Sequence, residues 1–401
     1  MRDFGDEIGR LADLTVGFGA NVQPGQLVSV TSYTGKEALT RAVTHAAYER
    51  GARYVDVLYF DPWVKRERIE HAPDDSIGDV PPWLMERLEW LSDEHAARIT
   101  LNGPAAPRAL DGLDLARAGR DQTPYLPNSG DVVNRGTTNW CVVPAPTLAW
   151  AVEVYPDAPP DEALERLWDA VVHVCRLDEP DPESAWLERM NWLKDVAGRL
   201  TDRRFRSIRL HGPGTDLTVG LFRSSEWHAA EFTTVDGLCF YPNLPSEEMF
   251  TTPDPALTEG YVSTTMPKEL YGAIVDGMRL EFEGGRVTRV DAERGADALR
   301  SALSRDAGAS LLGEVALVDG SGRVGPLDTV FLETLLDENA ASHVALGNGY
   351  ELTVSDPAER KRIAQSEIHV DLMIGSPELY VDGITDGGEA IPILRDGAWQ
   401  I

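Results

Sequence analysis

Gln26-Leu27-Val28-Ser29-Val30, then the stretch 36–49, then Tyr54-Val55-Asp56-Val57-Leu58-Tyr59-Phe60 decide the fold class of the N-terminal half. The first follows the turn Gln23-Pro24-Gly25 and alternates as a strand does. The second has helical spacing, and the third, after Gly51, is an apolar run of strand length. Strand, helix and strand in that order predict a βαβ unit, and with it parallel pairing. Working outward, helices are expected over 82–92, 161–173 and 182–202, and strands over 97–101, 140–144, 207–210 and 216–221. The Pro- and Gly-rich stretches 102–112 and 125–136 read as loops. Residues 1–235 are therefore expected to form an α/β domain with a partly parallel sheet.

The pattern changes after Trp227. Strands are expected over 237–241, 271–274, 279–282, 287–290, 315–318, 343–346, 369–374, 379–381 and 391–394. Glu283-Gly284-Gly285-Arg286 forms a hairpin turn, and helices are expected over 296–305 and 328–338. Residues 236–401 thus read as an α+β domain rich in antiparallel strands. That domain contains nearly every candidate metal ligand.

Charge narrows the partners. The chain has 66 acidic against 37 basic residues, a net −29, which repels phosphate backbones and anionic lipid. Nucleic-acid and membrane partners are not expected, and no window reaches the length of a membrane span. Cys141, Cys175 and Cys239 lie far apart in apolar surroundings and read as inert core thiols. The charged segment 1–14 lacks the apolar run of a signal peptide, so a cytoplasmic protein is expected.

Several ionisable residues interrupt apolar sequence in the C-terminal half. His369 and Asp371 are two apart in a strand, so they leave one face together, an imidazole beside a carboxylate. Taken alone, that triplet is more often a hydrogen-bonded surface pair. His343 heads Val344-Ala345-Leu346-Gly347, and Tyr350 follows the turn Gly347-Asn348-Gly349; each alone has a plain structural reading. Glu314 lies among Leu311, Leu312, Val315 and Leu317, where an unpaired carboxylate is costly to bury. Glu247 and Glu248 follow the stiff Pro242-Asn243-Leu244-Pro245, a loop able to aim one carboxylate inward. Together these make two histidines and at least three carboxylates, more than one tetrahedral ion requires. The set points to two ions sharing a carboxylate, with zinc first and cobalt, manganese or magnesium behind it. Nucleophile elbows, HExxH, phosphate-binding glycine loops and dinucleotide fingerprints are missing from the sequence.

With these residues in view, the chain resembles the thermophilic-type metalloaminopeptidases, the family of aminopeptidase T and aminopeptidase S. The likeness rests on Asn243-Leu244-Pro245-Ser246-Glu247-Glu248-Met249-Phe250-Thr251, Gly313-Glu314-Val315-Ala316-Leu317, the run 335–347 and Ile368-His369-Val370-Asp371-Leu372-Met373-Ile374-Gly375-Ser376. It extends through Val22-Gln23-Pro24-Gly25-Gln26 and 140–150 in the first half. The resemblance implies a homodimeric exopeptidase with two divalent ions, acting on peptides with a free N-terminus. It implies metal-pocket residues Glu248, Glu314, His343, Tyr350, His369 and Asp371, with Glu248 favoured over Glu247. Tyr350 is expected as ligand or oxyanion donor, and Glu338 as a proton shuttle or orienting group. Asp371 and Glu314 compete as the bridging carboxylate, and His343 and Glu248 are expected on different ions. The rival readings are a metal-dependent esterase or small-amide hydrolase, and a non-catalytic metal-binding homologue.

Overall fold

The computed structural model describes residues 2–121, 123–124, 126–229 and 231–401. It divides into two compact units, Met1–Glu188 with Ala230–Ser246, and Arg189–Ala229 with Glu247–Ile401. The boundary expected at 235/236 falls inside the 230–246 segment of the first unit.

The first unit is built on four parallel strands: β1 (Leu27–Tyr33), β2 (Tyr54–Phe60), β3 (Ala97–Asn102) and β4 (Asn139–Pro144). Their order is β2-β1-β3-β4, and every pairing is parallel. The crossover helix Glu37–Glu49 buries Leu39, Val43, Ala46 and Ala47, a stripe at helical spacing, as the βαβ reading requires. One expected loop differs. Tyr125, at its head, lies outside the described residues, and Ser129–Arg135 is a helix closed by Gly136 at φ 63°. Cys141 and Cys175 are buried, whereas Cys239 is half-buried, and the three form no disulfide. Among the described residues no helix is long and apolar enough to cross a membrane.

The second unit carries an eight-stranded sheet that includes Ser207–Gly212 and Thr215–Leu221, and a separate five-stranded sheet. The five strands run in the order His369–Met373, His343–Gly347, Leu312–Val318, Glu248–Thr251 and His228–Ala229, all antiparallel. Two elements depart from expectation. The helix expected over 328–338 is only Thr334–Asp337, because Asp328 and Leu332 sit at φ 47° and 55° and break the helical path. Glu333 then caps the short helix, accepting the N–H groups of Leu335 and Leu336 at 3.2 and 3.1 Å. The strand Pro253–Ser263 was masked in the sequence by Pro253 and Pro255, which argue against ladder pairing; an irregularity between 253 and 258 accommodates them.

Candidate metal centre

Strand register places five of the expected ligands on one face of the five-stranded sheet. Glu248 lies opposite Val318, His343 opposite Ala316, and Asp371 opposite Ala345, which in turn faces Glu314. His369 pairs with Gly347, two residues from Asp371. Opposed residues and alternate residues share a face, so these five side chains rise together. Between them stand only the methyl groups of Ala316 and Ala345, both fully buried, which leave room for longer neighbours to converge. Glycine holds the edge of the site: a Cβ on Gly313 would come within 2.3 Å of the Asn348 carbonyl oxygen. Gly347 ends its strand at φ 104°, a conformation L side chains rarely adopt.

The five side chains form two groups that share one member. One group is Glu248, Glu314 and His343; the other is Glu314, His369 and Asp371, with one donor atom from each residue within 4.8 Å of the others. His369 Nε2 lies 3.0 Å from Glu314 Oε2 and 3.1 Å from Asp371 Oδ1. His343 Nε2 lies 3.1 Å from Glu248 Oε2. That contact is not aligned as a hydrogen bond, and the buried oxygen has no other hydrogen-bond partner. Two groups with a common carboxylate are what a two-metal centre needs. His343 and Glu248 were expected on different ions; the register puts them in one group, since both flank the strand Leu312–Val318 opposite residues two apart.

The chemistry of the donors fits divalent ions. His369 Nδ1 is 2.8 Å from the Asn348 carbonyl, and His343 Nδ1 is 3.2 Å from the Ala341 carbonyl. A carbonyl only accepts, so each Nδ1 carries the hydrogen and each neutral ring turns a bare Nε2 toward carboxylate oxygens. Lone pairs facing lone pairs require a cation between them. In the metal-free chain a proton serves. Burial opposes the charge on His343, yet the Glu248 carboxylate, with Glu314 and Asp371 behind it, pushes the ring up to about 10. His369 is likewise raised: burial opposes it, and Asp371 and Glu314 outweigh burial. Asp371 moves down, with burial overcome by His369, Lys268 and His343.

A pH dependence follows. Metal uptake must displace these protons, so it should release acid at pH 7, and affinity should rise with pH until about 10. Stability of the metal-free chain runs the other way. The His343 contribution is complete below about 6.5 and is lost as pH rises through about 10. The chelated protein should therefore melt at lower temperature at pH 10 than at pH 7, while the metal-loaded protein lacks this loss. Equal midpoints for the chelated protein, with no acid released on loading, would contradict it.

The remaining expected residues surround the two groups. The Tyr350 ring packs edge-on against Phe250 with centroids 5.6 Å apart, and its hydroxyl lies 3.5 Å from His369 Nε2. That is a contact, longer than a good hydrogen bond. Burial, then the Glu314 and Asp371 charges, raise the phenol well above its usual range, so it keeps its proton. Glu338 follows the short helix, and its carboxyl is raised well up by burial and by the Glu248 and Asp371 charges. Glu247, just before the strand begins, turns instead to Arg189. Its Oε2 meets Arg189 Nε at 2.5 Å, and Arg189 Nη2 reaches Asp319 Oδ1 at 3.0 Å. Sequence reasoning missed Lys268, whose Nζ donates to Thr334 Oγ1 at 2.9 Å and whose charge is felt by Asp371. Its one available signal is rarity, as the chain has five lysines.

A family model described as thermophilic metalloprotease (M29) matches residues 4–399. The chain belongs to this family. Among its relatives, aminopeptidase T from Thermus thermophilus is 38% identical over 410 residues, covering all of both chains. Aminopeptidase T from Thermus aquaticus is 37% identical over 410 residues, again covering both chains completely. Aminopeptidase 2 from Geobacillus stearothermophilus is 34% identical over 409 residues, covering 100% of this chain and 99% of its own. The solved structure of wild-type AmpT from Thermus thermophilus superposes with a TM-score of 0.90 at 36% identity, over 100% of each chain. The M29 assignment and the two carboxylate–imidazole groups agree on metal-dependent chemistry.

Proposed function

We propose that this M29 chain is a two-metal aminopeptidase that releases N-terminal residues from peptides. The observation that carries the reading is the pair of carboxylate–imidazole groups joined through Glu314. Its full-length relatives named as aminopeptidases support the choice of reaction. Glu248, Glu314, His343, His369 and Asp371 would hold the ions, zinc first among them and cobalt, manganese or magnesium next. Bound there, two such ions supply Lewis acidity toward a carbonyl oxygen and a water of lowered pKa.

The chain's own side chains do the rest. Tyr350, with its hydroxyl 3.5 Å from His369 Nε2, donates to the carbonyl oxygen as charge develops on it. Glu338, whose carboxyl feels the Glu248 and Asp371 charges, is the group assigned to carry a proton to the leaving amine. The surplus of carboxylates favours the free ammonium of the substrate. Aminoacyl anilides such as leucyl p-nitroanilide should turn over, and N-acetylated analogues should not. Chelation should abolish turnover and divalent metal should restore it. Equal rates on blocked substrates would reassign the centre to an amidase or esterase.

The same reading includes a cytoplasmic location, supported by three thiols that form no disulfide, and assembly as a homodimer, supported by the family resemblance. Sedimentation at micromolar concentration measures the second.

A further inference from the structure

The parallel sheet of the first unit has one face that is only half covered. Along β3, Ala97, Ile99 and Leu101 are buried, while Arg98, Thr100 and Asn102 are half-buried. Along β4, Cys141 and Val143 are buried, while Trp140 and Val142 are half-buried. Register aligns Ser29, Arg98 and Trp140 in one row of that face and Thr31, Thr100 and Val142 in the next. Parallel sheets are ordinarily covered on both faces and lined with apolar side chains. Here a guanidinium sits on an internal strand.

Among the described residues the Arg98 guanidinium has no hydrogen-bond or ion-pair partner. The carboxylate in its row is already taken: Arg87 donates to Asp56 Oδ2 at 2.7 Å and to Ser29 Oγ at 2.9 Å. Burial draws the Arg98 guanidinium down to about 10, and the Arg87 charge adds to this. Beside it the Trp140 ring is fixed by Phe240 and Phe232, with centroids 4.7 and 5.5 Å away. The half-buried guanidinium keeps contact with solvent and has no carboxylate beside it, so an anion supplied from outside would be its first ionic partner. The overall −29 charge disfavours polyanions, which leaves a small monoanion as the matching class.

We propose that Arg98, Thr100 and Trp140 form a binding site for a small organic carboxylate, separate from the metal ligands. The guanidinium takes the carboxylate oxygens, the threonine hydroxyl donates to one of them, and the indole holds the apolar portion. The carboxylate belongs either to a free amino-acid derivative or to the C-terminus of a peptide.

Calorimetric titration of the metal-loaded full chain with N-acetylleucine and with N-acetylleucinamide tests this. Their blocked amines keep both from acting as aminopeptidase substrates. The acid should bind at least about tenfold more tightly than the amide. Arg98→Met should remove that preference, and Arg98→Lys should keep part of it. Asp371→Asn should leave acid binding intact, which separates this site from the metal centre. N-acetyl-alanylleucine binding more tightly than N-acetylleucine would assign the peptide C-terminus, and the reverse the free derivative. The proposal is overturned by equal binding of acid and amide, by an unaltered preference in Arg98→Met, or by loss of acid binding in Asp371→Asn. The comparison of acid with amide uses the wild-type chain, so a variant that fails to fold does not remove the test.

Discussion

Replacing Glu314 by Gln should empty both metal positions at once and lower turnover by roughly a thousandfold or more, several kcal/mol of lost stabilisation. The residue belongs to both carboxylate–imidazole groups, whereas Glu248 and His343 belong to one and His369 and Asp371 to the other. Metal stoichiometry therefore discriminates among the ligands. Glu248→Gln and Asp371→Asn should each weaken one position and leave the other occupied, with turnover lost in both. Glu314→Gln should hold little metal even at concentrations that fill the wild type. Mass spectrometric metal analysis after desalting reads the difference directly. Two retained equivalents in Glu314→Gln would show that another carboxylate, Asp371 first, is shared instead.

Tyr350→Phe should do the opposite, sparing the metals while lowering kcat by roughly 100-fold. The phenol, protonated in the metal-free chain, stands 3.5 Å from His369 Nε2, at the edge of the second group. Removing one hydroxyl leaves the ring's packing on Phe250 in place, so folding should be unaffected. An unchanged kcat would make Tyr350 a packing residue only. Loss of metal from the same variant would make it a ligand.

Much of this centre is readable along the chain, and the reasons are local. His369 and Asp371 declare a shared face because two residues separate them on a strand. Glu314 is conspicuous because a carboxylate among Leu312, Val315 and Leu317 needs a partner. The parallel sheet follows from one βαβ pattern, and all four of its strands were expected near their observed positions. The grouping of ligands was not readable. Whether Glu248 stands beside His343 or beside His369 depends on the register of separate strands, which no spacing along the sequence encodes. Lys268 was invisible for the same reason: it meets Thr334 across a long loop closure. The helix over 328–338 failed because two residues adopt left-handed backbone that their side chains do not announce.

The hydrogen bonds that orient His343 and His369 end on the main-chain carbonyls of Ala341 and Asn348, not on side chains. Every amino acid offers that carbonyl. Drift at position 348, and among small residues at the buried position 341, can therefore change the residue without changing the acceptor, provided the backbone path is kept. In an enzyme whose imidazoles lean on aspartates, one point mutation unsettles the ring; here the equivalent lesion requires bending the chain. Position 348 should be tolerant in a saturation-mutagenesis screen, with proline the exception because it removes the N–H that Asn348 gives to the Ile368 carbonyl, whereas the buried position 341 should accept only small side chains. The proposed ligands one step away should show no such tolerance.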